Sequence, residues 1–401
     1  MERKKIIMLG AGPLQVPAIQ ELKKLGAYVI CLDQNPNAEG FLWADESRVI
    51  STLDLEAVCE EFGTQKADVI MTSTSDMPVR IVSQVCGRFD IPCALSYEDA
   101  CAVTDKSRMR KRLQEWNVPV PGYQIIHNAD ELKAAFYEVF GKKCMIKPAD
   151  NAGSRGVKLL SGSYTDTELE QEYLKCREYS RNGLVLAEEV MCGPEVSVEA
   201  VTVEGQTSIL AVTDKIVCEK PYFVEIGHVE PSRLSKAVQE DIVRTAKAAV
   251  KAMHIKNGVS HTEIMVTESG AKIVEIAARL GGDFITSRLV PLSTGINMVR
   301  ESVKLALGME VCLEKTCEKG AAVRFLTAEK SGIVEKIEGM EEALNQEGIV
   351  EISVYVRPGD SVNGLHSSSD RIGHLIVQAE DAGKALIYAE KAFQKIHISI
   401  K

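Results

Sequence analysis

The opening residues alternate buried strand patterns with a helical pattern, and this alternation restricts the fold more than any other feature of the sequence. Two apolar runs, IIML and YVICL, flank a glycine-containing turn and the helical stretch VPAIQELKKLG. Continuous apolar runs of this length are typical of parallel strands covered on both faces. The run ADVIMTSTSD, followed by the helical stretch MPVRIVSQVCGRF, repeats the pattern. The sequence therefore predicts a doubly wound α/β domain over residues 1–100.

The whole chain has 401 residues, which is long enough for further domains. Helical spacing continues to Trp116, and the turn VPVPGYQ then marks a non-helical connection. Strand and helix patterns alternate over residues 123–190, and a β-rich run follows. We predict an α/β fold with a second domain over residues 101–310, which contains the 123–190 unit as a subdomain. A smaller, strand-rich α+β domain is predicted over residues 311–401.

Composition excludes several classes of partner. The formal net charge is −10, whereas non-specific nucleic-acid binding draws on a surplus of Lys and Arg. The apolar runs are shorter than a membrane span, and the start MERKKIIMLGAG lacks the features of a signal peptide. We therefore expect a cytoplasmic protein with no nucleic-acid or membrane partner. The 11 cysteines are spaced singly, without CxxC pairs, and are predicted to be free thiols.

The turn at residues 10–12, GAG, follows the first strand, and Asp33 ends the second. Glycines in this place allow a phosphate to approach the backbone, and an acidic residue there can bind a ribose. A dinucleotide site requires a third glycine, where this sequence has Leu14 and its neighbour. The pattern favours a structural turn or a small-substrate contact, and a nicotinamide-dependent oxidoreductase is kept as an alternative.

The stretch MIKPADNAGSRGVKLL places Lys147 on an apolar strand and follows it with a small, polar loop at residues 151–156. Backbone N–H groups of such a loop can surround phosphate oxygens, and the lysine supplies a positive charge. A surface hairpin with a charged tip would have a similar composition. An unpaired ammonium within an apolar strand is costly, which favours a phosphate site.

Glu263 and Glu275 lie on successive strand patterns that flank the turn ESG. Antiparallel pairing about that turn would bring both carboxylates onto one face, where they repel each other unless a cation lies between them. Magnesium bound by one or two carboxylates and by nucleotide phosphates satisfies this arrangement. Arg279, four residues after Glu275, could then clamp a phosphoryl group. The alternative is that both carboxylates face solvent.

Polar residues just before these strands form the predicted substrate-facing segment VTDKIVCEKPYFVEIGHVEPSRL. We expect His228 either to contact substrate or to serve a structural purpose. His261, two residues before Glu263, is predicted to orient that carboxylate. The full set of predicted substrate residues is Lys215, Glu225, His228, Ser232, Gly281 and Gly282.

Five segments occur in an order that resembles the ATP-grasp superfamily: TDKSRMRKRL, MIKPADNAGSRGV, LAEEVMCGPEVSVE, HTEIMV and VEIAARLGGD. The resemblance is to its carboxylate–amine ligase branch, near the L-amino acid ligase, phosphoribosylglycinamide synthetase and carbamoyl-phosphate synthetase families. It covers nearly the whole chain. It implies a biotin-carboxylase-like N-terminal domain, an ATP-grasp fold of two subdomains and a small C-terminal domain.

The resemblance also implies the positions of an ATP site. The phosphate ligands and the lid loop would be Lys106, Lys147, Ser154, Arg155 and Gly156. The adenine and ribose contacts would be Glu188, Glu189, Val190 and Glu195. Glu263 and Glu275 would bind magnesium, and Arg279 would act with Lys147 in catalysis. Many relatives have Asn where this chain has Ala277, so a second metal would need an extra water or another ligand.

The predicted function is an ATP-dependent ligase that activates a carboxylate as an acyl phosphate for capture by an amine. Its cofactors would be ATP and Mg²⁺, with Mn²⁺ as the alternative metal. Its substrates would be a small acid and an amine, and the protein would form a homodimer. Phosphoribosylglycinamide synthetase is the alternative enzyme, although VEIGHVEPS stands where that family has a PNTGGMG-type stretch. A nicotinamide-dependent oxidoreductase and a non-catalytic ATP-binding regulator are the alternatives of other classes.

Overall fold

The computed structural model describes residues 3–151, 153–218 and 224–401. Residues 219–223, within the segment predicted to face substrate, lie outside the described residues. The described chain is a mixed α/β structure with four sheets. Within it, no helix combines the length and the apolar character needed to cross a membrane.

The first sheet carries the predicted doubly wound pattern. Its strands are β1 (Lys5–Leu9), β2 (Tyr28–Asp33), β3 (Glu46–Val49) and β4 (Val69–Thr72), and its helices are α1 (Val16–Lys24), α2 (Leu55–Gln65) and α3 (Pro78–Phe89). All pairs are parallel, in the order β3-β2-β1-β4. Ile7 and Ile30 are fully buried. Burial on both faces of β1 and β2 explains why their sequences are continuously apolar.

Asp33 holds the glycine turn after β1 from inside the domain. Its Oδ2 accepts a hydrogen bond from the Ala11 amide at 2.8 Å, and its Oδ1 accepts one from the Asn35 amide at 2.8 Å. Gly10 adopts a φ of 96°, in the left-handed region that favours glycine. Both carboxylate oxygens of Asp33 are therefore bonded to backbone amides of the same domain, which agrees with the interpretation of a structural turn.

A second, antiparallel sheet lies within the 123–190 segment. Two helices precede it, α4 (Tyr97–Val103) and α5 (Lys106–Glu115). Its strands are β5 (Tyr123–Ile126), β6 (Lys143–Pro148), β7 (Lys158–Ser161) and β8 (Val185–Glu188), and its helices are α6 (Ala129–Ala134) and α7 (Asp166–Glu178). The strand order is β5-β8-β6-β7. One apolar cluster, which includes Phe136 and Leu160, fills the space between this sheet and its helices.

The largest sheet has eight strands. These strands come from both sides of residue 310, the predicted boundary between the second and the third domain. Its first five strands are β9 (Glu195–Val203), β10 (Gln206–Val217), β11 (Glu225–Glu230), β12 (Gly258–Thr267) and β13 (Gly270–Ala277). The helices of this region are α8 (Lys236–Ala252), α9 (Val290–Thr294) and α10 (Met298–Ala306). Helix α8 packs against β12 and β13, and its Ile242 and Ala246 are fully buried. The helix therefore supports the hairpin that carries both predicted metal ligands.

The last ninety residues supply the rest of that sheet and a small sheet of their own. The elements are β14 (Gly320–Thr327), β15 (Gly332–Glu338), α11 (Met340–Leu344), β16 (Ile349–Val354), β17 (Ser361–Val362), β18 (Arg371–Ala379), α12 (Ala382–Phe393) and β19 (His397–Ile400). The large sheet has the order β13-β12-β9-β10-β11-β14-β18-β16, and the small one β17-β15-β19. Because β11 pairs with β14, the C-terminal strands continue the sheet that carries the candidate site.

Candidate active site

The two predicted metal ligands lie directly opposite each other. Strands β12 and β13 pair in an antiparallel register that matches Glu263 with Glu275. Like charges in this position destabilise a sheet unless they are neutralised. Each carboxylate has its own lysine: Lys215 Nζ lies 3.3 Å from Glu263, and Lys106 Nζ lies 3.0 Å from Glu275. The hairpin therefore presents two carboxylates on one face, as the ESG turn predicted.

Lys106 stands at the start of α5, where the helix meets the loop after β6. The Asp105 side chain caps the helix by accepting hydrogen bonds from the amides of Ser107 and Arg108. The Lys106 amide donates to the Ala149 carbonyl at 2.7 Å, and its ammonium donates to the Asn151 carbonyl at 2.7 Å. Lys106 thus connects the 151–156 loop to Glu275.

Lys147 extends from β6 to a buried carboxylate. Its Nζ lies 2.8 Å from Glu188 Oε2, and Arg110 Nε donates to Glu188 Oε1 at 2.7 Å. Burial alone would raise the pKa of Glu188, but Arg110 and Lys147 hold that pKa at about 2. Glu188 stays ionised beneath the cavity and fixes Lys147, which lies on the cavity wall. Its side chain is not among those that line the cavity, so an adenine contact through Glu188 remains a prediction.

A cavity of about 230 Å³ lies between the second sheet and the eight-stranded sheet. It is lined by most of the predicted nucleotide and metal residues, namely Lys106, Lys147, Ser154, Arg155, Glu189, Val190, Glu195, Glu263 and Glu275. Two predicted substrate residues, Lys215 and Glu225, also line it. Gly156, Arg279, His228, Ser232, Gly281 and Gly282 do not line it. The lysines and glutamates that are far apart in sequence therefore meet around one space.

Apolar residues that the sequence interpretation missed cover part of this cavity. They include Met145, Met191, Met265 and Val274. Flexible thioethers and an aliphatic side chain can pack against the flat faces of a base. Met145 is two residues before Lys147, and Met265 is two after Glu263. The two-residue period of strands was the signal that could have placed them on the same face.

The chain between β8 and β9 forms the far end of the cavity. The Glu189 amide donates to the Gly122 carbonyl at 2.8 Å, and its side chain pairs with Lys272. Gly193, with a φ of 145°, has no room for a side chain, because a Cβ would lie 1.9 Å from the Val266 carbonyl oxygen. The segment that leads out of the second sheet therefore packs directly against the backbone at the end of β12.

Lys215 lies at the centre of three carboxylates. Its ammonium is 2.6 Å from Glu195, 3.3 Å from Glu263 and 3.4 Å from Glu225, and its side chain is 4% exposed. Burial lowers the pKa of Lys215, but Glu263, Glu195 and Glu225 together raise it well above its ordinary value. A permanently charged lysine therefore holds the predicted ribose residue, metal ligand and substrate residue together.

His261 contacts Glu263, as predicted. Its Nε2 lies 3.5 Å from Glu263 Oε1, and its Nδ1 lies 2.5 Å from the fully buried Glu199. Burial lowers the pKa of His261, but Glu199 and Glu263 raise it to about 9, so the imidazole is protonated at neutral pH. Gly281 allows this pair to pack closely, because a Cβ there would lie 2.6 Å from the His261 ring. The glycine thus has a packing purpose.

Arg279 is held by the N-terminal domain. Asp76, in the loop after β4, accepts hydrogen bonds from Arg279 Nε at 2.8 Å and from Nη2 at 3.3 Å. Asp76 and Glu275 also line a second cavity of about 340 Å³, whose wall includes Thr52, Thr74, Ser75, Arg155 and Arg181. The sequence interpretation missed Asp76. Its signal was the polar run TSTSD at the carboxyl end of a parallel strand, where ligands of such sheets bind.

The predicted substrate residues have separate positions. Glu225 lines the first cavity, and His228 is buried with its Nε2 3.2 Å from Asp283. Ser232 lies apart from both cavity walls: its amide donates to the Val212 carbonyl at 2.7 Å and its Oγ accepts from the Leu234 amide at 3.3 Å. Gly282 approaches Leu14, which would lie 3.9 Å from an added Cβ.

The residues present suit a magnesium ion that is shared with phosphates. In the described part of the chain, no cluster of three acidic, His or Cys side chains could hold a metal by itself. Magnesium is commonly bound by one or two carboxylates plus substrate phosphates, which matches Glu263 and Glu275. Ala277 pairs with His261 across the hairpin and is buried, so it provides no third ligand.

Comparisons with known proteins agree with this geometry. A model of the ATP-grasp domain matches residues 140–287, and a model described as L-amino acid ligase C-terminal domain 2 matches residues 324–401. The chain therefore contains an ATP-grasp domain. The first model spans β6, all the cavity-lining residues except Lys106, and the hairpin that carries the two predicted metal ligands. The second covers most of the C-terminal strands that extend the sheet of that hairpin.

Relatives of this ATP-grasp chain include ligases. The uncharacterized protein y4rH of Sinorhizobium fredii is 26% identical over 390 residues, which is 95% of this chain and 80% of that protein. The L-arginine-specific L-amino acid ligase of Bacillus subtilis is 23% identical over 310 residues, which is 76% of this chain and 74% of that enzyme. These matches confirm the predicted family and the prediction of an enzyme of the carbon–nitrogen ligase type.

Solved structures share the ATP-grasp fold over the full length. The L-amino acid ligase of Bacillus licheniformis has a TM-score of 0.84 at 20% identity and covers 100% of both chains. The phosphoribosylglycinamide synthetase of Anaerococcus prevotii has a TM-score of 0.78 at 21% identity and also covers 100% of both chains. The predicted α/β fold with its strand-rich C-terminal region is thereby confirmed.

Proposed function

We propose that this ATP-grasp enzyme joins a small carboxylic acid, an amino acid or a similar acid, to an amine and releases ADP and phosphate. One observation carries the proposal: a single cavity is lined by Lys106, Lys147, Glu263 and Glu275. Glu275 also lines the second cavity, so the two spaces adjoin. Two adjoining spaces can hold a nucleotide and an acid so that the γ-phosphate lies near the carboxylate.

The first cavity suits ATP. Lys106 and Lys147 supply two positive charges, and the 153–155 loop can close over phosphate oxygens. The methionines on its wall suit the base, and the Glu195 carboxylate would accept hydrogen bonds from the ribose hydroxyls. When bound, magnesium would be held by Glu263 and Glu275 and would neutralise phosphate charge. Manganese has similar ligand preferences and would serve in its place.

The acid would bind where the two cavities join, beside Glu275 and beside Asp76, the ion-pair partner of Arg279. Its carboxylate oxygen attacks the γ-phosphorus, the bond to the β-phosphate oxygen breaks, and ADP leaves. The amine nitrogen then attacks the acyl carbon, phosphate leaves and a proton is lost. Arg279, oriented by Asp76, would stabilise charge on the phosphoryl group. Closure of the 151–156 loop would exclude water, which otherwise hydrolyses the acyl phosphate.

The decisive experiment is a phosphate-release screen with ATP and magnesium in which amino acids are supplied singly and in pairs. We expect release with a subset of pairs, together with a condensed product visible by mass spectrometry. Glu275→Ala should lower the rate by at least about 100-fold, because phosphoryl transfer depends on charge neutralisation. Glu268→Ala, in the exposed turn of the same hairpin, is the matched control. Full activity and full magnesium affinity in the Glu275→Ala protein would refute the site.

A purine-biosynthesis ligase is the second candidate, favoured by the full-length likeness to the Anaerococcus prevotii phosphoribosylglycinamide synthetase. The C-terminal match to an L-amino acid ligase domain supports the amino-acid reaction instead. Phosphoribosylamine, glycine and ATP provide the discriminating mixture. Efficient ADP release with that mixture, and none with amino-acid pairs, would establish the second candidate.

A further inference from the structure

The turn after β1 and the loop after β4 lie side by side at the carboxyl edge of the first sheet. Strands β1 and β4 pair in parallel, with Leu9 opposite Thr72. In the strand order β3-β2-β1-β4, β2 and β3 lie on one side of β1 and β4 lies on the other. Ligands of open parallel sheets bind at such a reversal, outside the carboxyl ends of the strands. The two loops therefore border a place that suits a ligand.

Gln15 connects these two loops with its side chain. The residue immediately precedes α1, and its carbonyl accepts hydrogen bonds from the amides of Ala18 and Ile19, each at 3.1 Å. Its side-chain Nε2 donates to Thr74 Oγ1 at 2.5 Å and to Ser75 Oγ at 3.3 Å. Only 7% of Gln15 is exposed. The helix thus fixes the backbone of Gln15, and the buried side chain crosses from the end of β1 to the end of β4.

The glycines of the turn leave the space that this side chain occupies. A Cβ added at Gly10 would lie 3.4 Å from Gln15 Cδ, and one added at Gly12 would lie 3.1 Å from Gln15 Oε1. Contacts this tight overpack an interior unless the neighbouring atoms shift. The GAG turn thus accommodates Gln15, which gives its glycines a packing role that needs no dinucleotide.

The side-chain amide of Gln15 decides which way two hydroxyl groups donate. An amide NH2 group only donates, so Thr74 Oγ1 and Ser75 Oγ are its acceptors. The proton of each hydroxyl then points elsewhere, since a hydroxyl group rotates to suit its partners. In the described part of the chain, neither hydroxyl donates to another protein atom. Both are therefore available as hydrogen-bond donors to a ligand.

The two hydroxyl donors belong to the wall of the second cavity. Thr74 and Ser75 line that cavity together with Glu275, which it shares with the first cavity. Their loop is also held by the segment after the β12–β13 hairpin, because the Leu280 amide donates to the Ser73 carbonyl at 3.0 Å. An ionised carboxylate only accepts hydrogen bonds, and donors that are fixed beforehand lower the cost of binding it. This wall therefore suits a carboxylate oxygen.

We propose that Gln15 is a positioning residue for the acid substrate: it orients the hydroxyl groups of Thr74 and Ser75 so that both donate to the carboxylate that is phosphorylated. This inference rests on the proposed function. The hydroxyls hold the carboxylate oxygen that does not attack the γ-phosphorus, which leaves the other oxygen free to react. Gln15 touches neither reactant and acts only through the two hydroxyls. Its loss weakens binding of the acid, whereas the first cavity, which Gln15 does not line, keeps its affinity for ATP.

The test uses Gln15→Met and Gln15→Glu, which keep the length of the side chain and remove the NH2 donor. In the glutamate variant, the new carboxylate would accept both hydroxyl protons and turn the donors away from the cavity. Hydroxamate formation is measured with ATP, magnesium, hydroxylamine as the amine and the acid found by the phosphate-release screen. We expect the KM for the acid to rise roughly 10-fold for Gln15→Met and further for Gln15→Glu. The KM for ATP should change by less than about 2-fold.

A double-mutant cycle separates this positioning from a structural role. The combined change Thr74→Val and Ser75→Ala removes both hydroxyls and should itself raise the KM for the acid. Adding Gln15→Met to that protein should have no further effect on this KM, because residues that act through one another are not additive. Gln65→Met is the matched control, since Gln65 Nε2 donates to Glu61 at 2.9 Å elsewhere in the same domain. We expect the control to keep both KM values.

Thermal melting checks that each variant is folded, and Gln15→Leu replaces Gln15→Met in the cycle if the methionine variant is unstable. An unchanged KM for the acid in the folded Gln15 variants would overturn the inference. So would effects of the Gln15 and hydroxyl changes that simply add, or an equal rise in the KM for the acid and the KM for ATP. Unaltered enzyme that forms no hydroxamate with any acid would instead refute the proposed function.

Discussion

At the scale of single residues, Glu188 is strongly constrained, because its buried carboxylate lies between Arg110 and Lys147. Removing one member of a buried ion pair leaves an uncompensated charge, which costs more than the pair contributes. Here two cations depend on one anion. The residue that the resemblance associates with adenine therefore has a structural task as well.

We predict that Glu188→Gln destabilises the protein by roughly 3 to 5 kcal/mol at pH 7. The pKa of Glu188 is lowered from 4.5 to about 2, so its stabilisation is present above 4.5 and is lost as the pH falls towards 2. Urea unfolding at pH 7 and at pH 3 provides the measurement. Glu189→Gln is the control, since its half-exposed pair with Lys272 should contribute below about 1 kcal/mol. If Glu188→Gln lowered the free energy of unfolding equally at pH 7 and at pH 3, the lowered pKa of Glu188 would be contradicted.

Glu230 shows the opposite behaviour. Burial raises its pKa to about 7, although Ser293 and Thr213 donate hydrogen bonds to it. Because the folded-state pKa is above 4.5, the stability that this group contributes is complete below 4.5 and is lost as the pH rises through 7. Glu230→Gln should therefore show a smaller fall in Tm between pH 5 and pH 8 than the unaltered protein. Parallel Tm curves would show that Glu230 does not titrate in this range.

At the scale of elements, the β12–β13 hairpin decides the geometry of the predicted metal ligands. Its register places Glu263 opposite Glu275, and its other neighbour β9 pairs Glu263 with Ser197. A slip of one residue would turn one carboxylate to the other face of the sheet. Register is specified by the buried side chains Ile264 and Ile273, so the apolar residues of the hairpin set the positions of its charges.

The loop between β6 and β7 offers a matched pair of glycines for testing the lid. Gly156 has a φ of 75°, and a Cβ there would lie 2.8 Å from the Tyr179 ring and 2.9 Å from Pro148. Gly153 has a φ of 69°, but among the described residues, its two chain neighbours aside, no atom lies within 4 Å of its Cβ position. Both alanine variants are strained, but only Gly156→Ala also overpacks. We predict a roughly tenfold larger rise in the KM for ATP for Gly156→Ala than for Gly153→Ala. Equal effects would show that this packing does not matter.

At the scale of the whole molecule, the eight-stranded sheet joins the β12–β13 hairpin to the C-terminal strands. Strand β11 pairs with β14, and β14 pairs with β18. The pair formed by Arg371 and Asp283 crosses the same boundary. The C-terminal region is thus part of the sheet that carries the candidate site.

We therefore predict that a chain ending at residue 310 does not stay soluble. Loss of β14 would leave β11 as an unpaired edge and expose the fully buried Val229, and exposed apolar edges promote aggregation. Soluble yield and size-exclusion chromatography measure the outcome. Co-expression of residues 311–401 as a separate chain should restore soluble protein. A soluble, monomeric 1–310 chain that binds ATP would disprove this dependence.

Much of this structure could be predicted because its signals are local. The doubly wound start, the loop after Lys147 and the antiparallel carboxylates follow from periods and turns within about 20 residues. The order of the five sequence segments indicated the resemblance to the ATP-grasp superfamily. Ser232 shows the limit of such reasoning, since a polar residue in the right segment bonds to Val212 and Leu234 instead of lining a cavity.

By itself, the sequence determined the strands, the glycine loops and the kind of residues that meet at the site. Only the tertiary structure decided their partners: Asp76 for Arg279, Lys106 for Glu275, and Arg371 for Asp283. Asp76 and Arg279 are 203 residues apart. Local patterns follow from backbone geometry over a few residues, whereas an ion pair at that separation depends on how whole domains pack. The pairing of β11 with β14, on opposite sides of residue 310, likewise depends on tertiary packing and not on local sequence.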